Sequence, residues 1–339
     1  MHHSLPVFLA VALCIAPISK AAGSLNPFDW FGRHHTESSS LTIQESDQIA
    51  ETQIKLAKQH YEAGKFSSAS RALKKIIKQY PTAPAAGEAL ALEARIDMRK
   101  ALWSKGFNKL QRVINEHPGY PHFDRIISDQ FDCATALMEG ARGRILWIFP
   151  GFKQYGTSVR QFEQIVSNAP YGDYAPLALM NIALVSEMSN EPAEAIEALD
   201  RLINYYPQSM LASDAYYTLA QTYADLVQGP EYDQGSTRRA ISYYEDFLIL
   251  FPTSNYVGEV EGNLKRMENV LASSRLDLGD FYYYFRNNNT AALIFYNETI
   301  TIEPNSDAAL EARRRIQDIE AGVRPTNKAS ILRRLLRVD

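Results

Sequence analysis

Cysteine is almost missing from this 339-residue chain, which has only Cys14 and Cys133. Two cysteines cannot build a disulfide framework, and no CxxC pair exists to hold a metal or run redox chemistry. A glycine-rich phosphate loop, an HExxH helix and a GxSxG elbow are missing as well. Those patterns are how nucleotide, zinc and acyl chemistry usually show themselves, so no enzyme, cofactor or metal site is expected. Basic excess is also lacking: the formal charge is −4. Neutralising phosphates needs a basic surface, which excludes nucleic acid as the main partner. The apolar run Leu5–Ile18 falls short of the ~20 residues that span a bilayer.

What the chain does have is a repeating pattern. Between Glu194 and Tyr223, Ala195, Ile196, Leu199, Leu202 and Ile203 recur at steps of three and four and stop at Tyr205-Tyr206-Pro207. A second stripe follows, with Ala212, Ala215, Tyr216, Leu219, Ala220 and Tyr223. Each stripe is one apolar helix face, and the proline closes the first helix. Neither helix can bury its face alone. The same proline stop recurs at Pro81, Pro118, Pro170, Pro207, Pro252 and Pro304, spaced by 37, 52, 37, 45 and 52 residues. The short spacing is near the ~34 residues of a tetratricopeptide repeat, and the long ones contain insertions. The expected fold is therefore all-α, a tetratricopeptide-repeat superhelix (α-α solenoid) of five to six helical hairpins with one continuous core. The 46% hydrophobic content suffices for that core.

Taken in order, residues 1–22 read as a signal peptide, in which Ser19-Lys20-Ala21-Ala22-Gly23 supplies the small residues for cleavage. The alternative is an apolar first helix of the mature chain. Cys14 is the candidate lipidation site, although Leu13 stands where the lipoprotein pattern takes a small residue. Residues 23–45 have linker composition around an aromatic knot, Phe28, Trp30 and Phe31. Residues 46–138 hold the first repeats. Gly64 sits at a tight helix corner, and Ser104-Lys105-Gly106-Phe107 reads as a copy of it. His117 and His122 are turn residues, and Cys133 is a core thiol. Residues 139–157 interrupt the array with an apolar insertion containing Trp147 and Phe149. It either folds back over its own groove or contacts a partner or membrane. Residues 158–322 resume the array, with an asparagine of the turn Arg286-Asn287-Asn288-Asn289 expected in the left-handed cap that glycine fills elsewhere. The tail, 323–339, carries Arg324, Lys328, Arg333, Arg334 and Arg337 and is a capping helix or a basic helix for an acidic partner.

From about Gly156 to Ile319 the landmarks resemble the outer-membrane protein assembly factors of the BamD family, periplasmic tetratricopeptide lipoproteins of the barrel-assembly machinery. The resemblance is carried by Ala169-Pro170-Tyr171-Gly172-Asp173-Tyr174-Ala175, by Ala240–Asn255 with its phenylalanine-proline stop, and by Asp280-Phe281-Tyr282-Tyr283-Tyr284-Phe285-Arg286-Asn287. It implies a non-catalytic scaffold in the periplasm, associated with the outer membrane, whose partners are a barrel-type assembly protein and unfolded outer-membrane proteins. Carried over by position, Arg286 and Tyr283 are the implied partner contacts, the alternative being Tyr283 in the core and Arg286 solvated at a turn; Trp147 and Phe149 are candidates from the insertion. A soluble periplasmic tetratricopeptide adaptor of another envelope pathway, division or polysaccharide export, is the rival reading.

Overall fold

The computed structural model describes residues 42–140, 144–145, 149–150, 154–232 and 234–323. The helices, in chain order, are α1 (Ile43–Glu62), α2 (Phe66–Gln79), α3 (Pro84–Arg99), α4 (Trp103–Glu116), α5 (Phe123–Met138), α6 (Tyr155–Asn168) and α7 (Tyr174–Met188). Then come α8 (Pro192–Tyr205), α9 (Ala212–Asp225), α10 (Gly235–Leu250), α11 (Val257–Asp280), α12 (Asn289–Ile302) and α13 (Asp307–Glu320). Paired from the start, they make six hairpins, with α13 left over to cover the last.

All six repeat prolines stand one residue beyond the C-cap of an even-numbered helix. Proline has no N–H and disfavours helix in the residue before it, so the last helical hydrogen bond comes from the C-cap residue itself. That bond runs to Ile76, Val113, Ile165, Leu202, Phe247 or Thr299, five residues before each proline. Each of these acceptor residues is buried. Eight residues before each proline stands a large side chain with no accessible surface: Leu73, Leu110, Phe162, Leu199, Tyr244 or Tyr296. Twelve before stands a small one: Ala69, Gly106, Ser158, Ala195, Ala240 or Ala292. Small, large and acceptor fall on one helical face, and burying each large side chain contributes roughly 1.5–3 kcal/mol.

That register corrects the reading of Gly106. It lies inside α4, and the corner before it is made by Ala101 at φ 56°. A Cβ on Gly106 would sit 2.9 Å from Met98 Cγ and 3.5 Å from Cys133 Sγ. Gly106 therefore allows close helix approach and does not turn the chain. The corners after α1, α3, α5, α7, α11 and α13 use left-handed residues at Gly64, Ala101, Gly140, Asn190, Asn287 and Gly322. Of the asparagines in the turn at 286–289, Asn287, at φ 50°, is the one that takes the left-handed conformation.

The apolar interior divides into one main cluster and two flanking ones. The main cluster runs from Leu90 in α3 to Met267 in α11. A first cluster joins Ala50, Ile54 and Ala57 of α1 to Leu73 and Ile76 of α2 and Leu92 and Ile96 of α3. Helix α3 thus serves two cores with opposite faces, Leu90 and Ala94 on one and Leu92 and Ile96 on the other. A last cluster gathers Tyr283, Ala292, Tyr296 and Ala312. The insertion holds two-residue antiparallel strands, β1 (Arg144–Ile145) and β2 (Phe149–Pro150), with Ile145 opposite Phe149. β-branched and aromatic residues favour that geometry.

Odd-numbered helices also touch across repeats, α3 with α5, α5 with α7 and α11 with α13. They form one wall of the array, and α7 and α9 border a cleft in it.

Candidate protein-binding surfaces

The implied contacts Tyr283 and Arg286 lie where α11 ends. After Asp280 the helix continues for one π turn, Phe281–Phe285. The Arg286 N–H donates back five residues to the Phe281 carbonyl at 3.2 Å. Such turns hold one extra residue and change the direction of the side chains that follow. Tyr283 is turned inward, with only 3% of its surface exposed. Its ring meets Tyr296 edge-on at 6.5 Å, and its hydroxyl donates to the Val323 carbonyl at 2.8 Å. Burial raises the phenol above its ordinary range. Tyr283 is thus a core residue that ties the end of α13 to the turn, which corrects its placement as a surface contact.

The surface is made by its neighbours. Phe281 and Phe285 stack at 6.0 Å and stay 45% and 40% exposed, beside an exposed Arg286. Beneath them Asp280 Oδ1 accepts from Tyr296 Oη at 2.7 Å and from Arg315 Nε at 3.3 Å. Arg315 also pairs with Glu311 at 2.8 Å and lies 5.2 Å from the Tyr284 ring centroid. This network fixes the turn from three helices, so the exposed pair and Arg286 sit on a rigid base.

A second feature lies on the odd-helix wall. Between α7 and α9 is a cleft lined by Leu184, Glu187, Pro192, Tyr217, Thr222 and Asp225, with Asn190, Thr218, Gln221 and Leu226 completing it. Gln221 Nε2 donates to Asp225 Oδ1 at 2.8 Å, and the Gln221 carbonyl accepts from Tyr244 at 3.2 Å. Thr222 Oγ1 stands 3.0 Å from Glu187 Oε1 and 2.8 Å from the Thr218 carbonyl, with one hydrogen to share between them. The walls desolvate the Glu187 carboxyl and Asp225 repels its charge, so it is held above its ordinary value despite the Thr222 hydroxyl. The two carboxylates come from different repeats, and only the folded array brings them together.

Cys14 and Trp147 lie outside the described residues, and of Phe149 only its strand pairing is described. Cys133 is buried against Gly106, and burial pushes its thiol up to about 12. Among the described residues no group of three or more His, Cys, Asp or Glu could hold a metal ion, and no helix is long and apolar enough to cross a membrane.

Residues 51–83 match a tetratricopeptide repeat family, and the whole helical array is a tetratricopeptide solenoid. Over 128 residues the chain is 25% identical to the outer membrane protein assembly factor BamD of Caulobacter vibrioides, covering 38% of this chain and 42% of that protein. The BamD of Rickettsia prowazekii is 25% identical over 130 residues, 38% of this chain and 52% of that protein. The chain spans about half the length of these curated relatives. A solved tetratricopeptide repeat protein of Parabacteroides merdae is 14% identical with a TM-score of 0.34, covering 78% of this chain and 97% of that one. Residues 152–321, half of the 339 and the stretch that carries α6 to α13 and the π turn, match the YfiO outer membrane lipoprotein family, and the chain belongs to that family.

Proposed function

We propose that this protein is a non-catalytic, BamD-like scaffold of the outer-membrane barrel-assembly machinery, working in the periplasm and associated with the outer membrane. The observation that carries this reading is the family match over 152–321. The names of the two BamD relatives support it. A barrel-type assembly protein is the partner of the carboxyl-terminal repeats, and it is met by Arg286 together with Phe281 and Phe285. Exposed aromatic and arginine side chains on a rigid base are the usual anchors of such interfaces. Unfolded outer-membrane proteins are the second class of ligand, for which stacked hairpins offer an extended wall. The amino-terminal stretch acts as the export signal, ending at residue 22 or, where Cys14 is acylated, at Leu13, and Trp147 and Phe149 of the 139–157 insertion add a further contact.

Affinity purification from detergent-solubilised membranes tests this. The protein should bring down a barrel-type outer-membrane protein, and Arg286→Glu should reduce that recovery several-fold while leaving the melting curve unchanged. Recovery of the intact protein without any such partner overturns the assignment and favours a soluble adaptor of another envelope pathway.

A further inference from the structure

The outward face of the even-numbered helices follows from the same proline register. The positions ten, seven, six and three residues before each repeat proline are never buried. In α2 they are Arg71, Lys74, Lys75 and Lys78, a charge of +4. The four corresponding residues carry +1 in α4, zero in α6, −1 in α8, −2 in α10 and −1 in α12. Charge on this face therefore runs from positive to negative along the array, and its positive end is a single helix. Between Phe66 and Gln79 that helix has no acidic residue. Lys74 reaches Glu93 at 3.5 Å while staying exposed, and among the described residues no carboxylate pairs with Arg71, Lys75 or Lys78. The four cations stand at steps of three and four from one another, and like charges at those steps weaken a helix. An anionic surface laid against them would relieve that repulsion.

We infer that the α2 face docks on a bilayer of anionic phospholipid, with Arg71, Lys74, Lys75 and Lys78 against the headgroup phosphates. Three of the four are lysines, compact hydrated charges that neutralise an anion without demanding one fixed geometry. A protein partner fits this face poorly: interfaces are depleted of lysine and anchored by aromatic side chains, and no large apolar residue of α2 is exposed. A nucleic acid strand finds no ring to stack on. A second copy of the chain fits poorly as well, since the most acidic outward face, that of α10, offers only Glu245 and Asp246 against four cations. A plane of phosphates meets all four at once. Arg71 and Lys78 are about 10 Å apart along the helix axis, so a flat surface touches each without bending the helix. Each such charge held near an anionic surface strengthens binding about five-fold. The inference deepens the reading of a membrane-associated scaffold and rests on it for which membrane is met. The face itself lies outside residues 152–321 and uses none of the π-turn surface.

The test offers the full chain two kinds of vesicle at once: phosphatidylcholine alone, and phosphatidylcholine with about one-third phosphatidylglycerol, the latter loaded with sucrose so that they sediment. Apolar anchoring by the amino-terminal stretch acts on both kinds, so the partition between pellet and supernatant reads charge. The parent should favour the anionic vesicles by about a hundred-fold or more, and 1 M salt, which shortens the screening length to about 3 Å, should erase the preference. Arg71→Gln, Lys75→Gln and Lys78→Gln together should lower the ratio about a hundred-fold. Lys74 is kept because it touches Glu93, and glutamine matches lysine in helix propensity, so the triple variant should fold, which circular dichroism checks. Removing three exposed cations elsewhere, with Arg238→Gln, Lys265→Gln and Arg266→Gln, should leave the preference in place. Equal partition of the parent, retention of the preference by the triple variant, or an equal loss in the control each overturns the proposal. If the parent partitions equally while the triple variant loses an acidic protein that the parent co-purifies, the face belongs to a protein instead. A vesicle preference without recovery of a barrel-type partner leaves this inference standing and removes only the assembly role.

Discussion

One substitution made at two positions of α11 should give opposite results. Gly262 has open space where a Cβ would go, with nothing within 4 Å. Gly262→Ala should therefore gain the helix-propensity difference, about 1 kcal/mol. At Gly279 the same methyl would overlap the Tyr296 ring, meeting Cε1, Cδ1 at 2.5 Å and Cζ at 3.1 Å. Tyr296 cannot move aside. It has no accessible surface, its hydroxyl is bound to Asp280 at 2.7 Å, and Tyr283 stands against its ring. Overpacking of this kind costs about 1–3 kcal/mol or more, which outweighs the propensity gain. In a repeat array the damage stays near its source, because each hairpin contacts only its neighbours. Hydrogen exchange read by mass spectrometry should therefore show faster exchange across residues 281–320 in Gly279→Ala and no change across 84–225. Gly262→Ala should slow exchange or leave it unaltered. If Gly279→Ala protects the terminal hairpin as well as Gly262→Ala does, helix propensity decides the outcome and the close-packing argument is wrong.

Ala101 sits at φ 56°, where an L side chain is strained, so Ala101→Gly should stabilise the first hairpins by about 1 kcal/mol in urea denaturation. Lys109 lies 3.1 Å from Glu93, which is 2% exposed, and 2.5 Å from Asp97. Lys109→Met leaves both carboxylates without their main partner and should cost about 3 kcal/mol, recovered in part by adding Glu93→Gln. Glu187 is raised above its ordinary 4.5, so the folded state holds that proton more tightly than the unfolded chain. Its contribution to stability is present at acid pH and is lost as pH rises through the raised value. Glu187→Gln should accordingly melt higher than the parent at pH 7, with the difference fading below pH 4.5.

The fold was legible because proline acts through covalent geometry. Its missing N–H and its ring bar it from a helix interior, so a proline that follows an apolar stripe marks a helix end, and six of them announced six ends before any packing was known. The buried faces were legible for a related reason, since helical periodicity does not depend on which neighbour covers a face. Gly106 was misread because glycine serves two opposite needs, a left-handed corner and a close helix crossing, and only the neighbours Met98 and Cys133 tell them apart. Tyr283 was misplaced because the resemblance carries a position and not a direction, and the π turn, with its one extra residue, faces that ring inward. The pairing of Glu187 with Asp225 was invisible in sequence, for both stand at polar positions of helices 38 residues apart, and only the packing of one repeat on the next sets which polar positions meet.

Helix α11 begins in the main core at Val260 and ends in the last one, where Leu276 packs beside Tyr283. At about 1.5 Å and 100° per residue, losing or gaining a single position between those anchors would swing the exposed Phe281, Phe285 and Arg286 a quarter of the way round the axis. Its outer side chains are free to drift, but its length is not. The helix works as a ruler, and the π turn at its end is the vernier that sets the final angle.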